Sequence, residues 1–254
     1  MNESQLLDLA LFTLAGFLAQ MIDGTISMGY GVSATTLLLS FGVAPAGASA
    51  SVHTAEVVAT AFSAWNHWRV GNVIASFVKK LLIPGVIGAS VGAYVLTAIP
   101  GDVVKPFVSV YLAVMGFIIL LKAFRRRPEG ESHAYIVPLG LMGGFCDSIG
   151  GGGWGPIVAG TLLARGNPPR TTIGSVAFAE FFVTVAASAT LLITIGVSSW
   201  LPIAGLALGG AIAAPIAARL TGRIPPKPLM IIVGVVVILL SARTLWSAGA
   251  SALR

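Results

Sequence analysis

The ten residues Asp147–Pro156, with the sequence DSIGGGGWGP, lie inside a long apolar segment of the chain. Five glycines, a proline and an aspartate in ten residues do not favour a continuous helix. A break at membrane depth leaves backbone N–H and C=O groups without partners unless protein surrounds it. A stretch of the same kind, Asp23–Gly31 with the sequence DGTISMGYG, occurs in the first half. Two interrupted apolar segments at corresponding positions of two halves point to the binding site of a transporter.

The composition is that of a membrane protein. Of 254 residues, 56% are hydrophobic and 9% are charged, whereas soluble domains carry roughly 25% charged residues. At about 20 residues per spanning helix, the length allows about ten membrane segments and no separate soluble domain. We attribute the net charge of +6 to loop residues that fix topology, and we expect no nucleic-acid partner. The sequence therefore predicts an all-α, multi-pass protein of the inner (plasma) membrane.

Apolar runs bounded by glycine, proline and charge predict ten elements. Three of them, 30–42, 134–146 and 154–164, are too short to cross roughly 30 Å as helices and are interpreted as half-helices. The count is eight to ten membrane segments, because the paired short elements either cross fully or turn back as re-entrant hairpins. The ten elements are 4–22, 30–42, 48–66, 81–99, 103–122, 134–146, 154–164, 171–195, 199–218 and 228–246.

The sequence of the first half recurs in the second half at an offset of 124 residues, which becomes 122 towards the end of each half. Small residues match by chance, but acidic residues and prolines rarely do. The matching pairs include Asp23 with Asp147, Pro45 with Pro169, Glu56 with Glu180, Thr60 with Thr184, and Tyr30 with Trp154. We expect two membrane repeats, 1–124 and 125–254, that form one structural unit.

Loop charges indicate how the repeats are oriented. Basic residues follow the third and fifth elements in the first half, but the seventh and ninth elements in the second half. If positive loops are cytoplasmic, the two halves face opposite ways. The expected topology is an inverted repeat with both termini outside. The loop residues are Arg69, Lys79, Lys80, Lys122, Arg125–Arg127, Arg165, Arg170, Arg219, Arg223 and Lys227.

Four acidic residues, Asp23, Asp147, Glu56 and Glu180, fall at membrane depth, where a charge is costly. Glu56 and Glu180 are candidate proton-coupling or gating groups, and the alternative is a neutral, structural role. Asp23 and Asp147 are expected to be structural, because an aspartate before a half-helix is typical of a cap that holds the turn.

The glycine-rich pieces that open the half-helices predict an anion site. Unpaired N–H groups and the positive end of the helix dipole bind anions without a cationic side chain. The alternative is that these glycines only permit close helix packing, which explains four consecutive glycines poorly. The predicted substrate-binding residues are Gly29, Tyr30, Gly31, His53, Gly152, Gly153, Trp154 and Gly155.

Metal and enzymatic chemistry have less support. His53 and Glu56 share one helix face, but a zinc site needs at least three ligands, and we predict neither a metal nor a cofactor. Gly88–Gly92 matches GxSxG, yet it lies in an apolar helix without the strand that a nucleophile elbow needs. We therefore expect no enzyme. Two rivals are a cation or metal permease using the four acids, and a membrane-embedded enzyme using His53 and Glu56.

The duplicated layout resembles the TauE/SafE sulfite exporter family. The residues that carry the resemblance are 16–31, Pro45 and 51–56, with 140–155, Pro169 and 175–180. The resemblance covers essentially the whole chain. It implies a permease for sulfite, organosulfonates such as sulfoacetate or taurine-derived compounds, or other small sulfur-containing anions, generally in export.

The combined expectation is a transporter of a small anion that works by alternating access in the lipid bilayer, with protons as a candidate coupling ion. The first half departs from the glycine-rich form, since it has Thr25 and Ser27 where the second half has isoleucine and glycine. The identity of the anion, the direction, the coupling, carrier or channel behaviour, and the oligomeric state are left open.

Overall fold

The computed structural model describes residues 3–124, 135–196 and 200–252, and these residues form helices without any strand. The predicted all-α fold is therefore confirmed. The cluster Arg125–Arg127 lies outside the described residues. The helices are α1 Glu3–Ile26, α2 Tyr30–Ser40, α3 Pro45–Arg69, α4 Ala75–Ala98, α5 Gly101–Phe124, α6 Ile136–Gly150, a π-helical turn Gly155–Ala159 that continues as α7 Gly160–Ala164, α8 Pro169–Ile195, α9 Trp200–Leu220 and α10 Pro226–Ala252.

Six helices in the described part are long and apolar enough to cross a membrane, namely α1, α4, α5, α8, α9 and α10. Their outward faces carry large apolar side chains such as Leu7, Phe107 and Trp246, which are 62%, 71% and 82% exposed. This pattern suits lipid contact, because a water-facing surface of this kind would be unfavourable. α3 has 25 residues but is less apolar, since it buries serines, His53 and Glu56 inside the bundle.

The helix ends differ from the predicted boundaries at both breaks. α1 continues to Ile26 and α6 continues to Gly150, so that Asp23 and Asp147 lie in helical turns before the breaks. The interruptions themselves cover only three residues each, 27–29 and 151–153. Ser27 and Gly151, which are equivalent in the repeat, both adopt left-handed backbone, with φ of 51° and 66°. The chain therefore passes through the same left-handed backbone conformation at the break of each hairpin.

The short helices form hairpins with their preceding helices. The guanidinium of Arg165, directly after α7, lies 5.7 Å from the centroid of the Tyr135 ring, directly before α6. Both ends of the α6–α7 hairpin thus lie at one end of the bundle, so this hairpin turns back. The chain leaves α2 at the opposite end of the bundle, where α5 begins. Ala44 follows α2, and a Cβ added to Gly101 at the start of α5 would lie 3.8 Å from the Cβ of Ala44.

The basic loops meet at one end of the bundle, which we call the basic end. Arg170 of α8 donates from Nε to Asn72 Oδ1 at 2.5 Å and from Nη2 to the carbonyl of Val70 at 3.0 Å, which joins it to the α3–α4 turn. Lys227 of α10 lies 4.7 Å from the Phe124 ring at the end of α5. A Cβ added to Gly222, in the turn after α9, would lie 3.9 Å from the Cβ of Arg170, so the turns after α3, α7 and α9 and the end of α5 are neighbours, as the loop charges predict.

Helix pairs correspond between the halves. α1 packs mainly against α9, and its counterpart α6 packs mainly against α4, the counterpart of α9. α3 contacts its own counterpart α8, and α5 contacts its own counterpart α10. Glycines allow the close crossings: a Cβ on Gly16 of α1 would collide with the backbone of Leu206 in α9. This arrangement brings the two hairpin tips together inside the bundle.

Candidate functional site

The two hairpin tips pack backbone against backbone. A Cβ added to Gly31 would lie 2.8 Å from the carbonyl oxygen of Gly151 and 2.8 Å from Cα of Gly152. At the equivalent Gly155, a Cβ would collide with the carbonyl of Ser27 and lie 2.8 Å from Cα of Met28. No other residue fits at these positions without moving the opposite tip. The glycines therefore serve the close approach of two chain segments.

Each tip is closed by an aspartate of its own hairpin. Asp147 Oδ1 accepts hydrogen bonds from the N–H groups of Gly153 at 2.7 Å and Trp154 at 3.0 Å. Asp23 Oδ1 accepts from Gly29 at 3.0 Å and from Tyr30 at 3.4 Å. The carboxylates thus cap the following helices from six and seven residues upstream, rather than as the residue next to the helix. A carboxylate of the protein itself therefore lies at the positive end of each half-helix dipole.

This capping changes the picture of the predicted anion site. Two N–H groups at each half-helix, which the sequence suggested for a ligand, donate to an aspartate in this structure. The second carboxylate oxygen of Asp147, Oδ2, lies 3.1 Å from Nε2 of His53. An external anion at these N–H groups would have to replace a carboxylate.

Tyr30 and Trp154 hold the tips to other helices. The Tyr30 hydroxyl donates to the carbonyl of Leu206 in α9 at 3.0 Å, and Trp154 Nε1 donates to the carbonyl of Val176 in α8 at 3.2 Å. Both side chains are fully buried. They lie away from the space between the tips in this structure, and instead they fix the tips within the bundle.

His53 links α3 to the second hairpin. Its Nδ1 lies 2.8 Å from the carbonyl of Ser49, so Nδ1 carries a proton and donates there, and its Nε2 lies 3.1 Å from Asp147 Oδ2. Ser49 Oγ in turn donates to the carbonyl of Ser148 at 2.8 Å. The Asp147 carboxyl is therefore held by two backbone groups and an imidazole. The offset aligns Ala177 with His53, so the aligned position offers no imidazole to Asp23. His67 of α3 instead contacts the carbonyl of Gly24 in the first hairpin at 3.1 Å.

The two glutamates face the space between the tips. Glu56 and Glu180 are each 3% exposed, and Oε2 of each makes no hydrogen bond to any residue that the structure describes. A small cavity of about 10 Å³ lies between them and the tips, which is about enough for one water molecule. Asp23, Asp147 and the tip glycines line the rest of it. Four carboxyl groups thus share one buried space.

Two of these carboxyl groups and the imidazole of His53 are close enough to bind one metal ion. One ligand atom each of His53, Glu56 and Asp147 lies within 4.8 Å of the others, and all three residues are buried. The sequence alone does not bring three ligands together, but the fold does, since His53 and Glu56 lie in α3 and Asp147 lies in α6. His53 Nε2 would have to release Asp147 and present its lone pair, since a metal ligand must be unprotonated.

A larger cavity of about 280 Å³ opens at the basic end. Lys122 and Arg223 lie on its wall, and Met28 of the first hairpin tip lies at its depth. The ammonium group of Lys122 donates to the carbonyl of Pro156 at 2.6 Å, in the π-helical turn next to the second tip. Sequence reasoning counted Lys122 and Arg223 only as topology-setting loop charges. Lys122 lies in the last turn of an apolar helix, where a lysine that fixes topology is also expected, so the sequence carries no signal for its inward contact.

Tyr111 of α5 is a second contact that sequence reasoning missed. Its hydroxyl donates to the carbonyl of Gly152 at 3.2 Å, and its ring covers Gly150, where a Cβ would collide with it. The repeat places Val233 of α10 at the corresponding position, and a Cβ on Gly29 would lie 3.8 Å from its Cγ2. Nothing in the spacing of α5 distinguishes Tyr111 from an aromatic residue that faces lipid.

Broken helices whose ends meet around polar groups inside an apolar bundle are the arrangement of secondary transporters. The sequence profile of the family described as "Sulfite exporter TauE/SafE" matches residues 12–244. The chain belongs to this family of membrane transporters, and the predictions of that family and of a multi-pass membrane protein are confirmed.

Two relatives from Bacillus subtilis (strain 168) are similar over most of their length. "Probable membrane transporter protein YtnM" is 45% identical over 247 residues, which cover 93% of this chain and 82% of the relative. "Probable membrane transporter protein YjnA" is 22% identical over 241 residues, which cover 89% and 95%. No solved structure matches the chain.

Proposed function

We propose that the protein exports a small sulfur-containing anion, sulfite or an organosulfonate, by alternating access between two inverted repeats. The observation that carries this proposal is the basic-end cavity, which reaches from Lys122 and Arg223 to Met28 at a hairpin tip. Cations at the mouth of a cavity with apolar walls raise the local concentration of anions. The description of the family supports the choice of a sulfur oxyanion.

The proposed inverted topology is supported by how the helices pair. α1 with α9 corresponds to α6 with α4, and α3 and α8 are each other's counterparts. With the basic loops gathered at one end, the α6–α7 hairpin enters from that end and the α1–α2 hairpin from the other. Two opposed hairpins of this kind exchange their conformations when access alternates between the two faces.

In this mechanism the transported anion binds between the tips, at Gly29–Gly31 and Gly152–Gly155. The present cavity of about 10 Å³ is too small for it, so the tips must separate before it enters. When they do, the oxyanion takes the N–H groups that Asp23 and Asp147 now hold. These groups are already oriented towards negative charge, and the exchange replaces one anion by another.

Protons balance the charge in this proposal. An anion cannot share a buried space with four ionised carboxyl groups, because like charges repel strongly at low dielectric. Glu56 and Glu180, whose Oε2 atoms lack protein partners in the described structure, are the groups proposed to hold protons while the anion is bound. Release of the anion and of these protons on one face would couple the two fluxes.

The test is flux of radiolabelled sulfite into proteoliposomes that contain the purified protein, with and without a pH gradient. We expect saturable sulfite flux that is accelerated by a pH gradient with the acidic side where the anion is supplied. Glu56→Gln and Glu180→Gln should each keep the flux but lose this acceleration. Asp102→Asn, which removes an exposed carboxyl group at the start of α5, is the matched control. Absence of flux for sulfite and for ethanesulfonate would contradict the anion proposal, and an unchanged pH response in both variants would contradict coupling by the glutamates.

A second candidate function is permeation of a divalent cation, favoured by the proximity of His53, Glu56 and Asp147. These ligands are compatible with zinc, which binds histidine nitrogen and carboxylate oxygen in fourfold coordination. Thermal unfolding of the purified protein with zinc separates the two functions. Stabilisation by zinc that His53→Ala abolishes, without stabilisation by sulfite, would favour the cation. Stabilisation by sulfite alone would exclude the zinc proposal.

A further inference from the structure

The basic-end cavity differs from the central site in size and chemistry. Its volume of about 280 Å³ lies near the lower end of the range of small-molecule sites, roughly 300–1,000 Å³. None of the described residues that line it is acidic. The centre, by contrast, has four carboxyl groups and room for about one water molecule. An anion arriving from this end therefore meets favourable charge in the cavity before it meets the acids.

Lys122 connects this cavity to the moving part of the site. Its ammonium group donates to the carbonyl of Pro156 at 2.6 Å, and Pro156 follows Gly155, which packs against the opposite tip. A Cβ on Gly160 would lie 2.5 Å from Lys122 Nζ, so the lysine side chain lies directly on the second hairpin. An anion that draws the ammonium group into the cavity would weaken its bond to the π-helical turn, a kind of segment often found at functional sites.

Apart from these cations and Thr25, the side chains that line the cavity are apolar. Ile26, Met28, Ile173 and Met230 face it, from α1, the first tip, α8 and α10. Methionine adapts to ligands of different shape, because it is flexible and polarisable. The chemistry fits a small anion whose charged group binds the cations and whose remaining part contacts the apolar wall.

The two positions that the offset aligns with Lys122 and Arg223 carry no cation, although Lys105 and Arg243 lie nearby in the sequence. With the offset of 122 residues that applies near the end of each repeat, Lys122 corresponds to Thr244 and Arg223 corresponds to Gly101. The residue after Gly101 is an acid, Asp102. If the two ends open in turn, as the proposed function requires, an anion meets two cations at the basic end and none at these positions at the other end.

We propose that the basic-end cavity is a loading site, in which Lys122 and Arg223 bind the charged group of the anion before it reaches the hairpin tips. The absence of cations at the two aligned positions favours release at the other end. This inference rests on the proposed function, and it adds a second binding site and a structural reason why the anion binds more tightly from the basic end than from the other end. Arg223 acts by direct contact, and Lys122 acts by contact and by its bond to the second hairpin.

The test compares KM for ethanesulfonate at the two faces, in inside-out and right-side-out membrane vesicles. We expect Arg223→Gln and Lys122→Met each to raise KM about tenfold when the anion is supplied at the basic end, the effect of losing one charge-assisted hydrogen bond. KM at the other face should stay within about twofold, because the same cations do not contact an anion that enters there. Lys122→Arg should restore the wild-type KM.

Lys80→Met is the matched control, since Lys80 is an exposed cation of α4 outside the cavity. If Lys122→Met fails to fold, Arg223→Gln carries the test alone, because Arg223 lies in an exposed turn. Equal changes at both faces, or changes no larger than those of Lys80→Met, would overturn the loading site. Absence of flux in the wild type would overturn the proposed function and the loading site together, whereas flux with unchanged KM in the variants would overturn the loading site alone.

Discussion

Thr60 and Thr184, which are equivalent in the two repeats, contact each other with their Oγ1 atoms 3.1 Å apart. Each hydroxyl also lies within hydrogen-bonding distance of the carbonyl one turn earlier, Glu56 at 2.6 Å and Glu180 at 3.0 Å. One hydroxyl has a single proton, so only one threonine donates across the interface while the other donates within its helix. The centres of α3 and α8 therefore meet at residues that the 124-residue offset aligns, as an arrangement of the two predicted repeats about a pseudo-two-fold axis requires.

The first prediction concerns this threonine pair. Thr60→Val and Thr184→Val each remove the cross-helix hydrogen bond, so the double variant should be less destabilised than the sum of the two. The expected coupling is about 0.6 kcal/mol and at most about 1.7 kcal/mol, as for other hydrogen bonds between membrane helices. Unfolding in mixed micelles measures it, with Thr190→Val as a control, because Thr190 donates to the carbonyl of Ala186 at 2.8 Å within α8. Additive effects of Thr60→Val and Thr184→Val would show that the pair makes no net contribution.

The second prediction concerns the left-handed turns at the two breaks. Ser27, with φ of 51°, occupies a conformation that costs a non-glycine residue about 1–2 kcal/mol, and its buried hydroxyl has no partner in the described structure. Ser27→Gly should therefore stabilise the protein by up to about 1 kcal/mol, because the extra freedom of unfolded glycine offsets part of the gain. Gly151→Ala, at the equivalent position, should destabilise by several times that amount, since its Cβ would lie 2.9 Å from Cβ of Thr35 in addition to the backbone strain.

The thermal midpoint in detergent checks this pair of variants. One substitution introduces glycine at a left-handed position and the other removes glycine from the aligned position, so opposite signs are the expected result. A destabilising Ser27→Gly would show that the serine contributes more than its backbone strain costs.

The third prediction separates glycines that face backbone from glycines that face a side chain. A Cβ at Gly155 would collide with the carbonyl of Ser27, which cannot move without shifting the first tip. A Cβ at Gly29 would meet Cγ2 of Ile22 at 3.1 Å, and a side chain of this kind adjusts at low cost. Gly155→Ala should therefore abolish most anion flux and lower the thermal midpoint, whereas Gly29→Ala should keep both near wild type. Similar losses in the two variants would contradict the assignment of Gly155 to the contact between the tips.

Much of this architecture is predictable from the sequence, because apolar runs and loop charges dictate helices and their ends. The paired Asp-to-glycine stretches also predict two broken hairpins. The side-chain directions are not predictable in the same way. The sequence places Tyr30 and Trp154 among the predicted substrate-binding residues, but it does not indicate that both side chains insert between helices and donate to carbonyl groups there. Neither destination lies near them in sequence, since Leu206 is 176 residues from Tyr30 and Val176 is 22 residues from Trp154.

The cations illustrate a second limit. A lysine at the end of an apolar helix is typical of a residue that fixes topology, and nothing local distinguishes one that turns inward. Lys122 turns inward because the π-helical turn places the carbonyl of Pro156 within its reach. That contact depends on how the second hairpin packs against α5. It is a property of the tertiary structure, as is the meeting of His53 with Asp147 from residues 94 apart in sequence.

The last prediction concerns the unequal aspartates. Asp147 accepts from two N–H groups and contacts His53 Nε2, whereas the counterpart of His53 beside Asp23 is Ala177. Asp147→Ala should therefore destabilise the protein more than Asp23→Ala, by about 1.5–3 kcal/mol, the usual contribution of a hydrogen bond to a charged group. Asp147→Asn should be much milder, because its carbonyl oxygen still caps the half-helix and its amide donates to a neutral imidazole. Thermal unfolding of the three variants gives this order directly.

His53→Ala supplies the control for that order. In the Asp147→Ala background, His53→Ala should lower the free energy of unfolding only slightly further, because the partner of the imidazole is already absent. In the wild type, His53→Ala should lower it by about the difference between Asp147→Ala and Asp23→Ala. An equal effect of Asp147→Ala and Asp23→Ala would show that the imidazole adds nothing to the cap. The two aspartate caps would then contribute equally to stability, and the imidazole would not be among the features that distinguish the second hairpin from the first.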